Sequence, residues 1–362
     1  MRYIAITYNY LTLGKALVYA KNVWGCENAQ IIFLPTVSDL VNSETLKDLG
    51  VKKIGMPKNF HHYGFISNVR KSISLAKSVV SSIDIFMENH FDDDITFIIF
   101  KDCEIRNCCV INSLKKKYRN SHIILMEEGM ALYSLPRTTS ISVKSIIRSS
   151  LMLLCGVPKY FIENHPMGCN PAINRIICSN PDALKKRGFS KNAVLEKEID
   201  EFSRENCDYL LKNLFKINFK EHIFDYVFLT QPIYPRSKVA DAEYDKFLKE
   251  LFSVLTKNGS VLIKRHPRDK WDYSSYKNEN VEISENNVSH IPFECIMGVY
   301  GRPQMLTLFS SAAFNSLSNK KSIFLYKLLP GSLRAQIDEQ LIKNSNSVIC
   351  ESFSELSTLL KV

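Results

Sequence analysis

A chain of 362 residues with 45% hydrophobic and 23% charged side chains is long enough for two buried cores and has the profile of a globular protein. No run approaches the roughly 18–20 apolar residues that a membrane span needs, and the most apolar patch, Ser150-Leu-Met-Leu-Leu-Cys-Gly-Val157, is far too short. A formal net charge of +10 favours an anionic partner, which leaves nucleic acid, an acidic membrane surface, or an acidic small molecule or glycan.

The start of the chain, Met1-Arg-Tyr-Ile-Ala-Ile-Thr-Tyr8, has one positive charge and a short strand-like run before polar Asn9. It lacks the length and cleavage site of a signal peptide, so a cytoplasmic chain is expected. The 10 cysteines are then expected as reduced thiols. None forms a Cys-x-x-Cys pair, and no metal or redox role is assigned. The basic clusters Lys115-Lys-Lys-Tyr-Arg119 and Lys185-Lys-Arg187 read as solvated helix faces. Without aromatic–basic interleaving, nucleic acid is not the expected partner.

Taken in order, residues 1–130 alternate strand-like and helix-like segments at βαβ spacing. Strands are expected at Arg2–Tyr8, Ala29–Leu34, Val51–Ile54, Ile95–Phe100 and His122–Met126, and helices at Leu11–Val23, Ser43–Leu49, Ile66–Met87 and Val110–Tyr118. Residues 130–220 are less regular: a loop at Arg137–Ser140, a helix at Val143–Leu154, a strand at Ile173–Ser179 and a charged helix at Glu196–Leu214. A second α/β unit follows, with strands at Tyr226–Thr230, Val261–Ile263, Val281–Ile283, Met305–Phe309, Ser322–Tyr326 and Val348–Cys350. Its helices are expected at Tyr244–Leu255, Glu294–Met297, Ala312–Leu317 and Ser352–Leu360. The fold class is therefore α/β, with two Rossmann-like halves and a cleft between them.

Ligands in such sheets lie beyond the carboxyl ends of the strands, so strand ends are where chemistry is sought. Val261-Leu-Ile-Lys-Arg-His-Pro-Arg-Asp269 carries Lys264, His266 and two arginines to one such end, with Pro267 restraining the backbone. An imidazole among cations suits an anionic leaving group. Glu127-Glu128-Gly129 ends another strand. Successive side chains alternate in direction, so one glutamate is expected to face the ligand and serve as a base while the other supports it. Gly129 lets the backbone turn or a ligand approach closely. Pro292-Phe-Glu294 offers a carboxylate that could accept both hydroxyls of a ribose, or is a plain helix start. Ser310-Ser311 could hold a phosphate at a helix N-terminus, or is a simple cap. Asp92-Asp-Asp94 precedes a strand and lies at the wrong edge for a metal site. His165-Pro166 has no apolar strand before it and reads as a loop. No glycine-rich dinucleotide fingerprint, Walker loop or serine nucleophile elbow occurs.

In order and in strand-end placement, Glu127-Glu128-Gly129, His266-Pro267 and Ser310-Ser311 resemble the three short motifs of bacterial sialyltransferases. Thr230-Gln-Pro232 and Pro292-Phe-Glu294 fit the same pattern, and Glu-Glu-Gly-x-x-x-Tyr, ending in Tyr133, is closest to the polysialyltransferase-like and lipooligosaccharide branches. The resemblance implies a GT-B glycosyltransferase with an acceptor-binding Rossmann-like domain over 1–218 and a CMP-sugar-binding one over 219–362. It implies inverting transfer from CMP-sialic acid to a glycan hydroxyl of a bacterial surface polysaccharide, with no metal or other cofactor. Glu127 would be the base, with Glu128 beside it, and His266 would protonate or hydrogen-bond the departing phosphate. Ser310 and Ser311 would hold that phosphate and Glu294 the ribose, with Lys264, Pro267 and Pro292 completing the donor site. Asn9, Gln231 and Gly129 would line the cleft. Partners are then a CMP-sugar and a glycan, lipid-linked in one version, with peripheral contact to an anionic inner membrane face compatible with the charge. Rival readings are a CMP-Kdo-dependent transferase and a sugar-nucleotide 2-epimerase.

Overall fold

The computed structural model describes residues 1–35, 40–55, 65–88, 94–102, 105–128, 132, 150, 167–186, 188–189, 193–218, 222–232, 238–310, 312, 321–329 and 347–360. The chain divides into two compact units, Met1–Glu201 with Asn213–Phe215, and Phe202–Lys212 with Lys216–Val362. The Val143–Leu154 and Ala312–Leu317 helices expected from sequence fall almost wholly outside the described residues, as do Gly129, Tyr133, His165, Pro166 and Ser311.

In the first unit the chain runs β1 (Arg2–Thr7), α1 (Tyr10–Tyr19), β2 (Ala29–Phe33), α2 (Ser43–Asp48), β3 (Val51–Lys53), α3 (Phe65–Met87), β4 (Ile95–Ile99), α4 (Ile105–Lys117) and β5 (His122–Met126). It continues through β6 (Arg175–Cys178), α5 (Pro181–Lys186) and β7 (Val194–Lys197). The seven strands are all parallel, in the order β3-β2-β1-β4-β5-β6-β7. Uninterrupted apolar runs such as Ile95–Ile99 suit strands covered on both faces. Ile4, Ile6, Phe97, Ile99, Ile123 and Leu125 pack with Val79 and Ile83 of α3 and with Ile111 and Leu114 of α4.

The second unit begins with α6 (Arg204–Leu210) and runs β8 (Tyr226–Leu229), α7 (Lys238–Leu255), β9 (Val261–Lys264), β10 (Val281–Ile283), α8 (Asn286–Ser289), β11 (Gln304–Thr307), β12 (Ser322–Phe324), β13 (Ser347–Ile349) and α9 (Phe353–Leu359). Its six strands are again parallel, in the order β10-β9-β8-β11-β12-β13. Phe228, Ile263, Leu306 and Ile323 pack with Leu248, Leu251 and Leu255 of α7 and Leu356 of α9. Both halves are therefore doubly wound parallel sheets, as the βαβ spacing predicts.

One expected element is corrected. Glu196–Leu214 is not a single charged helix: Val194–Lys197 is the edge strand β7, paired with β6, and Ser203 caps a new helix by accepting from the Asn206 amide. Charge-rich Glu196 and Lys197 mislead because an edge strand tolerates charge on its open side. Helices α4 and α7 also begin before their apolar runs, at Ile105 and Lys238.

A buried charge cluster holds the carboxyl side of the first unit. Lys15 on α1 is buried and lies 3.1 Å from Glu198, in ion-pair contact also with buried Glu201. Burial works against the Lys15 charge, but Glu201, Glu198 and Glu127 together carry its pKa well above the usual value. Burial, with Glu198 adding to it, pushes Glu201 up to about 8 against the pull of Lys15. Lys15→Met leaves these carboxylates uncompensated and is expected to cost about 3–5 kcal/mol in urea unfolding at pH 7. The loss should shrink at lower pH, where the orphaned carboxyl groups take up protons in the folded state; a loss independent of pH would contradict this.

Candidate functional site

Each sheet reverses its strand order after its first strand, between β1 and β4 and between β8 and β11. At such a switch point the connections leave on opposite faces, and a crevice opens at the carboxyl edge. In both units the described residues that sequence reading assigned to the site sit on that edge.

In the second unit a cavity of about 460 Å³ is lined by Thr230 and Gln231 after β8, by Lys264 to Arg268 after β9, by Ser289 to Glu294, and by Phe309, Ser310 and Ala312 after β11. The fold thus brings together Gln231, Lys264, His266, Pro267, Pro292, Glu294 and Ser310, all of which sequence reading singled out. Lys264, Arg265 and Arg268 set cations around one buried carboxylate, Glu294, so the cavity favours an anion. Lys264 points inward from the end of β9, where its ammonium donates to the Ser289 carbonyl at 2.8 Å. Burial pushes its pKa down to about 7, although the Glu294 carboxylate opposes the shift. Ser310 is held in a tight turn, its N–H donating to Thr307 Oγ1 at 2.9 Å and its hydroxyl accepting from the Ala312 N–H at 3.3 Å.

His266 is fixed from both sides. Its N–H donates to Thr230 Oγ1 at 2.9 Å, and its ring Nδ1 accepts from the Arg268 N–H at 3.0 Å. An acceptor at Nδ1 requires the neutral ring to carry its proton on Nε2. Three residues after His266, Asp269 anchors the turn by accepting from the Trp271 N–H at 3.0 Å and the Tyr273 hydroxyl at 2.8 Å. Burial, then the Arg268 charge, lowers the His266 pKa below its ordinary value, with Asp269 opposing and Lys264 adding to the shift.

In the first unit Glu127 and Glu128 follow β5, and the strand's alternation sends them different ways. Glu127 is 1% exposed. Its carboxylate accepts from the Ser179 N–H at 2.7 Å and from the Ser179 hydroxyl at 2.9 Å. Glu128 is less buried: it accepts from Asn9 Nδ2 at 2.5 Å and pairs with Lys101 at 3.2 Å. Asn9 is the N-cap of α1, its Oδ1 accepting from the Thr12 N–H, which leaves its amide free to face Glu128. The more accessible of the two carboxylates is therefore Glu128, whereas sequence reading gave Glu127 the base role. The physical reason is β6: Ser179 ends the strand beside β5 and draws Glu127 into the protein.

Sequence reading gave no role to Lys15, Lys101, Ser179 or Ser289. Ser179 carried a signal, since it ends a predicted strand that must lie beside the one ending at Glu127. Lys15 carried none, because nothing local distinguishes a buried lysine from a solvated one. Among the described residues no group of three or more His, Cys, Asp or Glu is arranged to hold a metal ion. No helix among them is long and apolar enough to cross a membrane.

Residues 179–330 match the family model of Glycosyltransferase family 52, a segment that contains the whole His266 cavity. No curated protein matches the chain. Among solved structures, the sialyltransferase from Photobacterium damsela is 13% identical, covers 99% of this chain and 79% of its own, and has a TM-score of 0.54. A sialyltransferase from Photobacterium damselae, over the residues of its GT-B domain, is 11% identical with 99% and 96% covered and a TM-score of 0.50. The alpha/beta-galactoside alpha-2,3-sialyltransferase of Photobacterium phosphoreum is 13% identical with 96% and 94% covered and a TM-score of 0.50. At such identities the likeness shows the fold: the chain has the GT-B fold and is similar to bacterial sialyltransferases.

The fixed tautomer is open to direct measurement. In heteronuclear NMR, His266 is expected to titrate below pH 6.5 as the Nε2–H tautomer, and Arg268→Ala is expected to raise its midpoint. A midpoint above 6.5 in the parent protein would contradict the geometry.

Proposed function

We propose that this protein is an inverting sialyltransferase, moving sialic acid from CMP-sialic acid to a glycan hydroxyl of a bacterial surface polysaccharide. The observation that supports this best is the cavity that gathers His266, Lys264, Glu294 and Ser310 at the switch point of the second sheet. Its chemistry fits a nucleoside monophosphate: cations and the Ser310 hydroxyl for the phosphate, and the Glu294 carboxylate for the two ribose hydroxyls. His266 Nε2–H donates to the phosphate oxygen as the bond to the sugar breaks. Pro267 and Pro292 fix the turns that carry His266 and Glu294, and Gln231 lines the same cavity. Ser311, next to Ser310, is the second hydroxyl of this reading.

The acceptor hydroxyl must lose a proton, and a carboxylate is the fitting base. We assign this to Glu128 rather than Glu127. Glu127 already accepts from both the N–H and the hydroxyl of Ser179 within the protein, and this makes it a support. Lys264, Arg265 and Arg268 supply the positive charge a phosphate leaving group needs, so turnover is expected to persist in EDTA.

The decisive experiment offers the protein CMP-sialic acid, CMP-Kdo and UDP-N-acetylglucosamine, each with tagged glycan acceptors, read by mass spectrometry. The expected result is sialylated glycan and CMP. His266→Ala and Glu128→Gln are each expected to lower kcat by about 10²-fold or more, while Glu127→Gln lowers it less. Transfer from CMP-Kdo alone would move the assignment to a Kdo transferase. Release of UDP without any CMP-sugar turnover would replace it with an epimerase.

A further inference from the structure

Lys101 follows β4, the strand beside β5, and its ammonium lies 3.2 Å from Glu128 Oε2. The pair is largely sheltered, with side chains 28% and 13% exposed, so water and salt screen it less than a surface pair. The other carboxylate oxygen, Oε1, takes the Asn9 amide at 2.5 Å. Glu128 is thus gripped at both oxygens, by a cation from the end of β4 and by an amide from the end of β1.

The base of Lys101 is itself held. The next residue, Asp102, is fully buried and accepts from the Gly168 N–H at 3.0 Å and the Asn170 N–H at 3.1 Å. Gly168 has φ +81°, and an added Cβ there would come within 2.6 Å of the Phe189 ring. The adjacent pair Lys101–Asp102 therefore works as a bracket: Asp102 locks the backbone inward, and Lys101 reaches from that fixed point to Glu128.

We propose that Lys101 is a positioning residue for Glu128 that keeps its carboxylate ionised and aimed, an inference that rests on reading Glu128 as the base. A cation in contact with a carboxylate favours the charged form. Among the described residues, charged groups on this edge include Glu127 on the same strand and, behind it, Lys15 of α1 with Glu198 and Glu201 after β7. Glu127 adds to the cost of a second negative charge nearby, and the Lys101 ammonium offsets that cost at Glu128. Asn9 also caps α1, so its removal would perturb the helix as well; Lys101 is the cleaner target.

The test compares the parent protein with Lys101→Met and Lys101→Arg, after thermal melts confirm that each is folded. In Lys101→Met the carboxyl ¹³C titration of Glu128 is expected to move up by about one pH unit at low salt. The acid limb of kcat/KM should move by the same amount, so that turnover on that limb falls about tenfold while the donor KM changes less than about twofold. Lys101→Arg is expected to restore most of both. An unmoved Glu128 titration in Lys101→Met overturns the proposal, and so does an unmoved limb with a tenfold higher donor KM, which would place Lys101 on the substrate. Glu128→Gln reports on the underlying reading: full turnover in that variant removes Glu128 as the base, whatever the titration shows.

Discussion

All the chemistry this chain can offer depends on the direction of its strands. In each unit the strands among the described residues all run parallel, so each delivers its last side chain to the same edge. The reversal of order after the first strand then parts the connections and leaves room there. Thr230, His266 and Ser310 come from three different strand ends, yet line one cavity for this reason. Asn9, Lys101 and Glu128 meet in the same way at the ends of β1, β4 and β5. Residues that are distant in sequence become neighbours because the sheet puts all its carboxyl ends in one row.

Gathering polar groups at a buried edge has an electrostatic cost, and the protein offsets it by pairing. Glu198 and Glu201 close on Lys15, Glu128 on Lys101, and Glu294 lies within the field of Lys264. The pairs differ in character. The Lys15 cluster is sealed and has more carboxylates than cations, so Glu201 is driven towards its neutral form. Lys264 shows the converse: burial outweighs Glu294 and pulls the ammonium towards neutrality. A lysine poised in this way at the wall of a cavity would regain full charge if an anion such as a phosphate bound there, because the new negative charge favours the protonated form. The first cluster is suited to holding structure, and the second to responding to a ligand.

Much of this was legible from residues alone. The fold could be read because parallel strands covered on both faces leave continuous apolar runs, and Ile95–Ile99, His122–Met126 and Tyr226–Leu229 stand where those runs are. The His266 cavity could be read because its members end such strands. Strand β7 was missed because Val194-Leu-Glu-Lys197 is a short edge strand whose burial is only partial. Which of Glu127 and Glu128 turns inward was also out of reach. Alternation along β5 says that the two carboxylates diverge, but which one turns inward depends on the hydroxyl at the end of β6, a contact fixed only by pairing with a strand some fifty residues later.

In the proposed transfer, the state of His266 would bear on how a phosphate leaves. Its Nδ1 accepts a backbone hydrogen bond, and burial with the Arg268 charge holds its pKa down, so at neutral pH the ring is uncharged with a single N–H on Nε2. A phosphate monoester has a second pKa of about 6, so a CMP leaving group, as proposed, would need no proton to be a stable product at neutral pH. A neutral imidazole N–H at the wall of the same cavity as Lys264, Arg265 and Arg268 would stabilise growing charge on such a phosphate without a full transfer. Protonating the ring would force Nδ1 to abandon the Arg268 N–H and would add a cation to a crowded set. In the proposed transfer this arrangement suits a hydrogen-bond donor better than a titrating acid, and the acid side of the pH dependence would then fall to the base, proposed as Glu128.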